Sequence, residues 1–495
     1  MLKRINKNTL LHLTIWMLIT LIGITTTTNL RAEQTLNLKQ AVEIAIMTNP
    51  EVLQAYKNYE SVVNDREAAF GRYLPSVDFT TSAGVEDRND PLVIPGNNRY
   101  SRSQNSLSLK QVIFDGFATK NEVARLDRTS KARLYELENV SQSIASDVSR
   151  AYVDLIRYRR LKALAESNYI SHKIIFKQLL IKAKAGVGKS SDVEQALSRL
   201  YLAVYNLSVE GSNLHDVEAR YQRLTGKLPP KEIDTNLPFT KGIPKDSVAA
   251  IKQAQLHSPV LLASIEDTLS QQALVNNKDA AFMPKVEFRA RADRGEDLNG
   301  YAGSHRNDVA EVVVSWNIFN GFTDTNLKRK EQSLLEASVD RRDKTCRDIR
   351  LEVELAYHDI QKLTKQSLYL DTRVISIEKA RDAYRKQFDI GQRTLVDLLN
   401  AENELFEANR LQTNVGSELL IAKVRTHYQM GQLLNILGLT RYANKEAPFQ
   451  PIASTDGENI VACPAEAAAE FTTSSDYIDN SNMEIIMSPN NQLSN

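Results

Sequence analysis

The stretch AKAGVGKS, Ala183 to Ser190, has residue types and spacing that could hold a nucleotide. It fits the loose phosphate-loop pattern, with Ala183 where the stricter form has glycine. Such a loop works because a buried strand ends in a glycine-rich turn that opens a helix. Backbone N–H groups then converge on the phosphates, and the lysine reaches the terminal ones. Here the preceding FKQLLIKAKA carries a helical pattern, and no acidic strand end for magnesium is evident. A nucleotide-binding enzyme therefore rests on one short, degenerate match. The seven histidines are scattered without ligand spacing, so neither a metal nor another cofactor is expected, and no catalytic set stands out. Two cysteines, Cys346 and Cys463, are too few for a disulfide scaffold. An oxidising compartment permits a bridge between them, although little in the pattern favours one.

The elements that must position any site begin with a leader. Lys3, Arg4 and Lys7 precede an apolar run, Leu10 to Ile24, and a cleavage point follows Ala32. A mostly apolar run of fifteen residues falls short of the roughly 20 needed to span a bilayer, which favours export with cleavage over an uncleaved anchor. No cysteine sits near the cleavage point to take a lipid. Removing residues 1–32 takes the balance from 62 basic and 61 acidic residues to 58 and 61, net −3. No global basic field invites nucleic acid. No stretch of the mature chain is apolar enough for a transmembrane helix.

The chain repeats itself. Phe114-Asp115-Gly116-Phe117 matches Phe319-Asn320-Gly321-Phe322, and Ala151-Tyr152 matches Ala356-Tyr357, both displaced by 205 residues. Gly186, Asp192, Ala196 and Leu200 match Gly391, Asp397, Ala401 and Leu405 at the same displacement. Upstream, Asn49-Pro50 matches Ser258-Pro259 and Tyr73-Leu74-Pro75 matches Phe282-Met283-Pro284, displaced by 209. The four-residue change must fall between Phe79 and Ser108, where DRNDPLVIPGNNRYSRSQ reads as a loop. Loops absorb such changes and packed elements do not. The organisation is thus a first repeat over 33–227, a proline-rich connector over 228–247, a second repeat over 248–440, and a poorly ordered polar tail over 441–495.

Each half reads as helix, strand, loop, strand, long helix, turn, helix. In VEFRARAD, Val286, Phe288, Ala290 and Ala292 share one face, and Glu287, Arg289, Arg291 and Asp293 the other. In VAEVVVSWNI, Val312, Val314, Trp316 and Ile318 lie opposite Glu311, Val313, Ser315 and Asn317. Strands with one apolar and one charged face suit a membrane barrel, with lipid outside and water inside. A hairpin on a soluble core shows the same period, but the charges crowd one face. Four strands cannot close a barrel and open edges are forbidden in lipid, so several copies must contribute. The helical pattern after each FDG or FNG turn runs to Lys184 and Asp389, on the order of 100 Å. Second helical runs cover 191–225 and 396–437.

Together these residues resemble the TolC family of outer-membrane efflux proteins. The likeness covers nearly all of residues 35–440. It rests on the duplicated layout, the FDG and FNG turns, FDIGQRTLVDLLNAENELFEANR (388–410) and LLNILGL (433–439). It implies a mainly α fold with β: a trimer sharing a twelve-stranded outer-membrane β-barrel, four strands per chain. A long α-helical coiled-coil barrel continues into the periplasm and narrows at its inner end. By the same likeness the turns at Gly186 and Gly391 lie near the periplasmic end. Asp397 stands in a ring of carboxylates at the pore constriction. Asn400, one helical turn on, falls where some members carry a second acidic ring, and as an amide it weakens cation binding. Arg393 matches a residue that ties neighbouring helices shut, with Ser191 and Asp192 as its partners. Phe388 occupies a position where a hydrogen-bonding tyrosine can occur, so that link is absent. The bland alternative is that these are ordinary solvated polar side chains.

The expected function is a passive export duct and not an enzyme. The partners implied are two further copies, outer-membrane lipid, a periplasmic adaptor protein, and an inner-membrane ABC transporter or proton-driven pump. IFDGFAT and DIGQRTLVDLLNAENEL look closer to members that serve type I protein secretion. Small-molecule efflux with a proton-driven pump is the competing use, and a non-transporting envelope coiled coil is the reading from another class.

Overall fold

The computed structural model describes residues 37–87, 99–298, 301 and 303–439. The leader, the tail and Cys463 lie outside them. Asn37 starts the first helix with a reciprocal cap: its side-chain oxygen accepts from Gln40 N (2.9 Å) while Gln40 Oε1 accepts from Asn37 N (3.1 Å). Helix α1 (Leu38–Thr48) ends where Pro50 opens α2 (Pro50–Phe70). Proline suits the first helical position because its missing N–H would be unpaired there anyway. Strands β1 (Ser76–Asp87) and β2 (Arg99–Phe114) follow, then α3 (Ala118–Lys184) and α4 (Ser190–Thr225). The second half repeats the order. Helix α5 (Ser247–His257) meets α6 (Pro259–Lys278) at another proline, β3 (Lys285–Glu296) and β4 (Ser304–Ser315) form the hairpin, and α7 (Thr323–Asp389) and α8 (Leu395–Gln429) close the half. A last short helix, α9, spans Leu433–Ile436.

The duplication is visible in the bounds. Helices α3 and α7 each have 67 residues and start 205 positions apart, whereas β1 and β3 start 209 apart. Strands β2 and β4 return to 205, so the length change lies between β1 and β2. Two sequence expectations need correction here. The loop expected over 87–104 is shorter, because Arg99 to Gln104 are paired strand residues of β2. Their polar content signals a strand with polar groups on both faces, not a turn. The helix expected over 396–437 stops at Gln429, because Gly431 takes a left-handed φ of 67° and starts α9 in a new direction.

The four strands form one antiparallel sheet in the order β1-β2-β3-β4, with both outer edges unpaired by any other strand among the described residues. The middle pairing, β2 with β3, joins the two repeats: Leu107 lies opposite Ala292 and Ser108 opposite Arg291.

The main core sits where α1, α9 and the connector wrap the middle of α3 and the C-terminal ends of α4 and α8. Val42, Val148, Tyr152, Leu155, Tyr221 and Leu433 pack there at full burial. Repeat-related tyrosines pin the chain to the helices at matching points. Tyr152 Oη donates to Asp234 O and Tyr357 Oη to Pro244 O, both at 3.2 Å. A second cluster joins α5, α6 and α7, and Cys346 is buried within it. Cys346 is disulfide-bonded.

Candidate functional site

The two faces of the sheet invert the arrangement of a soluble protein. Val77, Phe79, Leu107, Val312 and Val314 are 50–67% exposed, whereas Glu287 and Asp293 on the opposite face are 2% and 7% exposed. Pairing partners share a face, so the register extends each side across all four strands. On the apolar side, Val77 lies opposite Leu109, Leu109 opposite Ala290, and Ala290 opposite Ala310. On the charged side, Lys110 lies opposite Arg289, which lies opposite Glu311. There Glu287 is enclosed by cations: Lys285 Nζ at 2.6 Å, Arg289 Nη2 at 2.6 Å and Lys110 Nζ at 3.3 Å. Ser106 donates to Asp293 (2.7 Å), and Arg102 pairs with Glu86 (2.9 Å). A sheet that encloses Glu287 and Asp293 on one face and displays Val77, Phe79, Val312 and Val314 on the other needs an apolar solvent over that band. The band ends where Arg294, Arg306 and Asp308 pair on the same face. Aromatic pairs stand at the strand–helix junctions: Phe70 with Tyr73, Phe114 with Phe117, and Phe319 with Phe322, ring centres 5.3–5.5 Å apart.

The far ends of the long helices carry the second group of expected residues. Each hairpin turns through a glycine in the left-handed region, Gly186 at φ 74° and Gly391 at φ 80°. The turns close alike, with Val187 N donating to Lys182 O and Gln392 N to Gln387 O. AKAGVGKS is therefore the C-terminal turn of α3 followed by the start of α4, with no strand to present a phosphate. Thr394 caps α8, and Asp397 completes the box: its Oδ2 accepts from Thr394 Oγ1 (2.9 Å) and Thr394 N (3.3 Å). Arg393 lies on its own hairpin. Its guanidinium stacks on Tyr384 (4.4 Å), its Nε donates to Gln387 Oε1 (2.9 Å), and Nη1 is 3.8 Å from Asp397. Among the described residues no ion pair joins Arg393 to Asp192 within one copy, and Ser191 and Asp192 lie in the first turn of α4. Asn400 Oδ1 accepts from Arg199 Nη2 on α4 at 3.1 Å. Phe388 packs beside an apolar cluster of Ile175, Leu179, Ala196, Leu395, Leu398 and Leu399.

The family model described as "Outer membrane efflux protein" matches residues 41–227 and 250–427, both halves of the duplication. The chain belongs to this family. It is 21% identical to the outer membrane protein TolC of Escherichia coli over 464 residues, covering 89% of this chain and 90% of TolC. It is 25% identical to the outer membrane efflux protein BepC of Brucella suis over 304 residues, 60% of this chain and 65% of BepC. It is 23% identical to the alkaline protease secretion protein AprF of Pseudomonas aeruginosa over 376 residues, 73% of this chain and 75% of AprF. In fold it resembles the CmeC outer membrane channel of Campylobacter jejuni, at TM-score 0.70 and 17% identity over 83% of this chain and 90% of that one. The MtrE outer membrane channel of Neisseria gonorrhoeae, in its open state, is similar at TM-score 0.68 and 14% identity, over 80% and 90%.

As a member of the outer-membrane efflux family, the chain is a transport protein of the outer membrane reaching into the periplasm, and it is not an enzyme. Its fold is the TolC-like one. The helix–helix contacts missed from sequence are those between polar faces: Arg199 with Asn400, Arg385 with Glu402 (2.7 Å) and, farther from the tip, Arg410 with Glu210 (3.1 Å). Helical periodicity marks a polar face but does not say which other face it meets. Tyr384 under Arg393 lies within the same hairpin and is the one partner that local spacing could have suggested.

One further titratable group stands out along α3. Glu138 is largely buried with its Oε2 unpartnered, and burial pushes its carboxyl up to about 7, against a smaller opposing pull from Gln142. Between its ordinary value and about 7 the folded protein keeps the proton and the unfolded chain releases it. Stability from this site is complete below that window and falls as pH rises through it. Glu138→Gln should therefore raise the melting temperature at pH 8, by on the order of 2 kcal/mol of stability, and change little at pH 4. Thermal melts of the detergent-solubilised protein at both pH values check this.

Proposed function

We propose that three copies of the chain close into a continuous duct for type I protein secretion, working with a periplasmic adaptor and an inner-membrane ABC transporter. The observation that carries the duct is the inverted sheet, with valines displayed on one face and Glu287 and Asp293 enclosed on the other. The free edges of β1 and β4 call for further copies, since a sheet with open edges is not viable in lipid. Twelve strands follow from three copies of a four-stranded sheet. Along the helices, Tyr201 and Tyr205 of α4 and Leu368, Tyr369 and Ile375 of α7 are 45–67% exposed, apolar surface that neighbouring copies would cover. Protein cargo, rather than small molecules, is favoured by the IFDGFAT and DIGQRTLVDLLNAENEL stretches and by the likeness to a protease secretion protein.

At the inner end we place Asp397 in a ring of three carboxylates, and Arg393 in a latch to Ser191 and Asp192 across the boundary between copies. Arg393 has an alternative resting place on Tyr384, so leaving the latch would not strand its charge. Asp397→Asn keeps an oxygen for the helix cap while removing the charge. It should weaken block of the pore by trivalent cations, and Arg393→Ala should raise single-channel conductance. Equal block and equal conductance in planar bilayers would remove both assignments.

The test of the function is deletion of the gene followed by proteomics of the culture medium and cell surface, with drug susceptibility in parallel. Loss of one or a few large secreted proteins is the expected result. An unchanged set of secreted proteins with heightened drug susceptibility would move the reading to small-molecule efflux.

A further inference from the structure

We propose that Arg199 is a gate link and a charge-setting residue of the constriction: its hydrogen bond to Asn400 holds the second-repeat hairpin against the first. The inference rests on the reading of Asp397 as a pore-lining group. Helix α8 is tied to α7 by Glu402 with Arg385 and by Gln412 with Asp371, contacts within one hairpin. Between the hairpins, α4 reaches α8 through two polar ties only among the described residues, Arg199 with Asn400 and Glu210 with Arg410. The Arg199 tie is the one at the tip, in the second turn of α8. Any outward swing of α7 and α8 from α3 and α4 must break it.

The layers on either side differ. Towards the tip lies the apolar cluster of Ile175, Leu179, Ala196, Leu395, Leu398 and Leu399. Towards the membrane, the buried face of α3 carries His172 and Asn168, 2% and 7% exposed, with Nδ1 and Oδ1 lacking partners. Burial, and then the charge of Arg199, push the His172 imidazole down to about 4, so it stays neutral beside the guanidinium. Above the tie the helices therefore meet through a poorly satisfied polar layer. Unpaired buried polar atoms are costly, so this layer holds the hairpins together less well than an apolar one, and the tie matters more.

The charge is as informative as the bond. Arg385 and Arg410 each face a carboxylate on the neighbouring helix, whereas Arg199 faces an amide. Among the described residues no carboxylate lies within ion-pair distance of Arg199. Each copy thus sets an uncompensated cation beside Asn400, one helical turn from Asp397. In a narrow pore that offsets the attraction of the carboxylates for cations.

The experiment is single-channel recording of the purified oligomer in planar bilayers under a KCl gradient, with Asp397→Asn as the control for the constriction. Asn400→Ala removes the acceptor and keeps the charge, so it should raise conductance, by about twofold or more, without moving the reversal potential. Arg199→Ala should raise conductance and also shift the reversal potential towards cation selectivity. Asn400→Asp gives Arg199 a carboxylate partner and should keep the conductance low. Arg199→Ala and Asn400→Ala channels with unchanged conductance and reversal potential would overturn the proposal, even where Asp397→Asn alters block. No channels from the unsubstituted protein would instead count against the duct itself.

Discussion

Leu109→Arg should empty the outer membrane of assembled protein, whereas Ser108→Arg, one residue along, should leave it in place. Leu109 sits in β2 between Val77 and Ala290, in a row that Ala310 completes and that is apolar across all four strands. Three copies would bring three arginines into lipid, and each costs about 2–4 kcal/mol near the bilayer midplane. The sum, about 6–12 kcal/mol, is comparable to the whole stability of a folded domain. Ser108 points to the opposite face, between Asp78 on β1 and Arg291 on β3. An arginine there enters water and gains Asp78 as a neighbour. The check is the amount of heat-modifiable oligomer in the outer-membrane fraction. Equal assembly of both variants would mean that the valine-bearing face does not meet lipid.

Gly431→Ala is expected to have the second largest effect, although it adds a single methyl. Gly431 holds φ 67° between α8 and α9, and a Cβ there would lie 2.2 Å from the His257 carbonyl oxygen and 2.9 Å from its carbon. Those atoms are backbone at the end of α5, fixed by Pro259 at the start of α6. The same turn is bonded to α3: Gln142 Nε2 donates to Gly431 O at 2.8 Å, and Leu434 N donates to Gln142 Oε1 at 3.3 Å. One peptide thus joins the end of the second repeat to its own beginning and to the first repeat. Left-handed backbone strain and overpacking each cost about 1–3 kcal/mol, so the loss should be on the order of 3 kcal/mol or more. Gly416, inside α8, faces open space. Its change to alanine should be neutral or stabilising by up to about 1 kcal/mol. Melting temperatures of the two variants side by side check the contrast.

What the sequence made legible follows from periodicity. The period of two fixes which face of a strand a residue occupies, so Glu287 and Phe288 could be assigned to opposite sides before any pairing was known. The repeat displacement fixed the matching lengths of α3 and α7, because an insertion in either would have broken it. Contacts between distant polar faces were not legible. Arg199 and Asn400 are 201 residues apart, and both sit on faces that read as solvated. Gln142, which bonds the α8–α9 turn, is a glutamine in a long polar-rich helix, and only its partners make it structural. At the tip, the expected residues divide. Asp397 proves to complete the capping box of Thr394, and Arg393 lies on Tyr384, which local spacing did not single out. Those roles are compatible with a pore ring and a latch between copies, but they arise within one copy from capping and stacking.

The most direct measurement of the central claim is ion conductance of the purified, unsubstituted oligomer in planar bilayers. A continuous duct predicts discrete, stepwise conductance, blocked from the helical side by trivalent cations and less so after Asp397→Asn. An oligomer that inserts into the bilayer and passes no current, with or without that substitution, would contradict it.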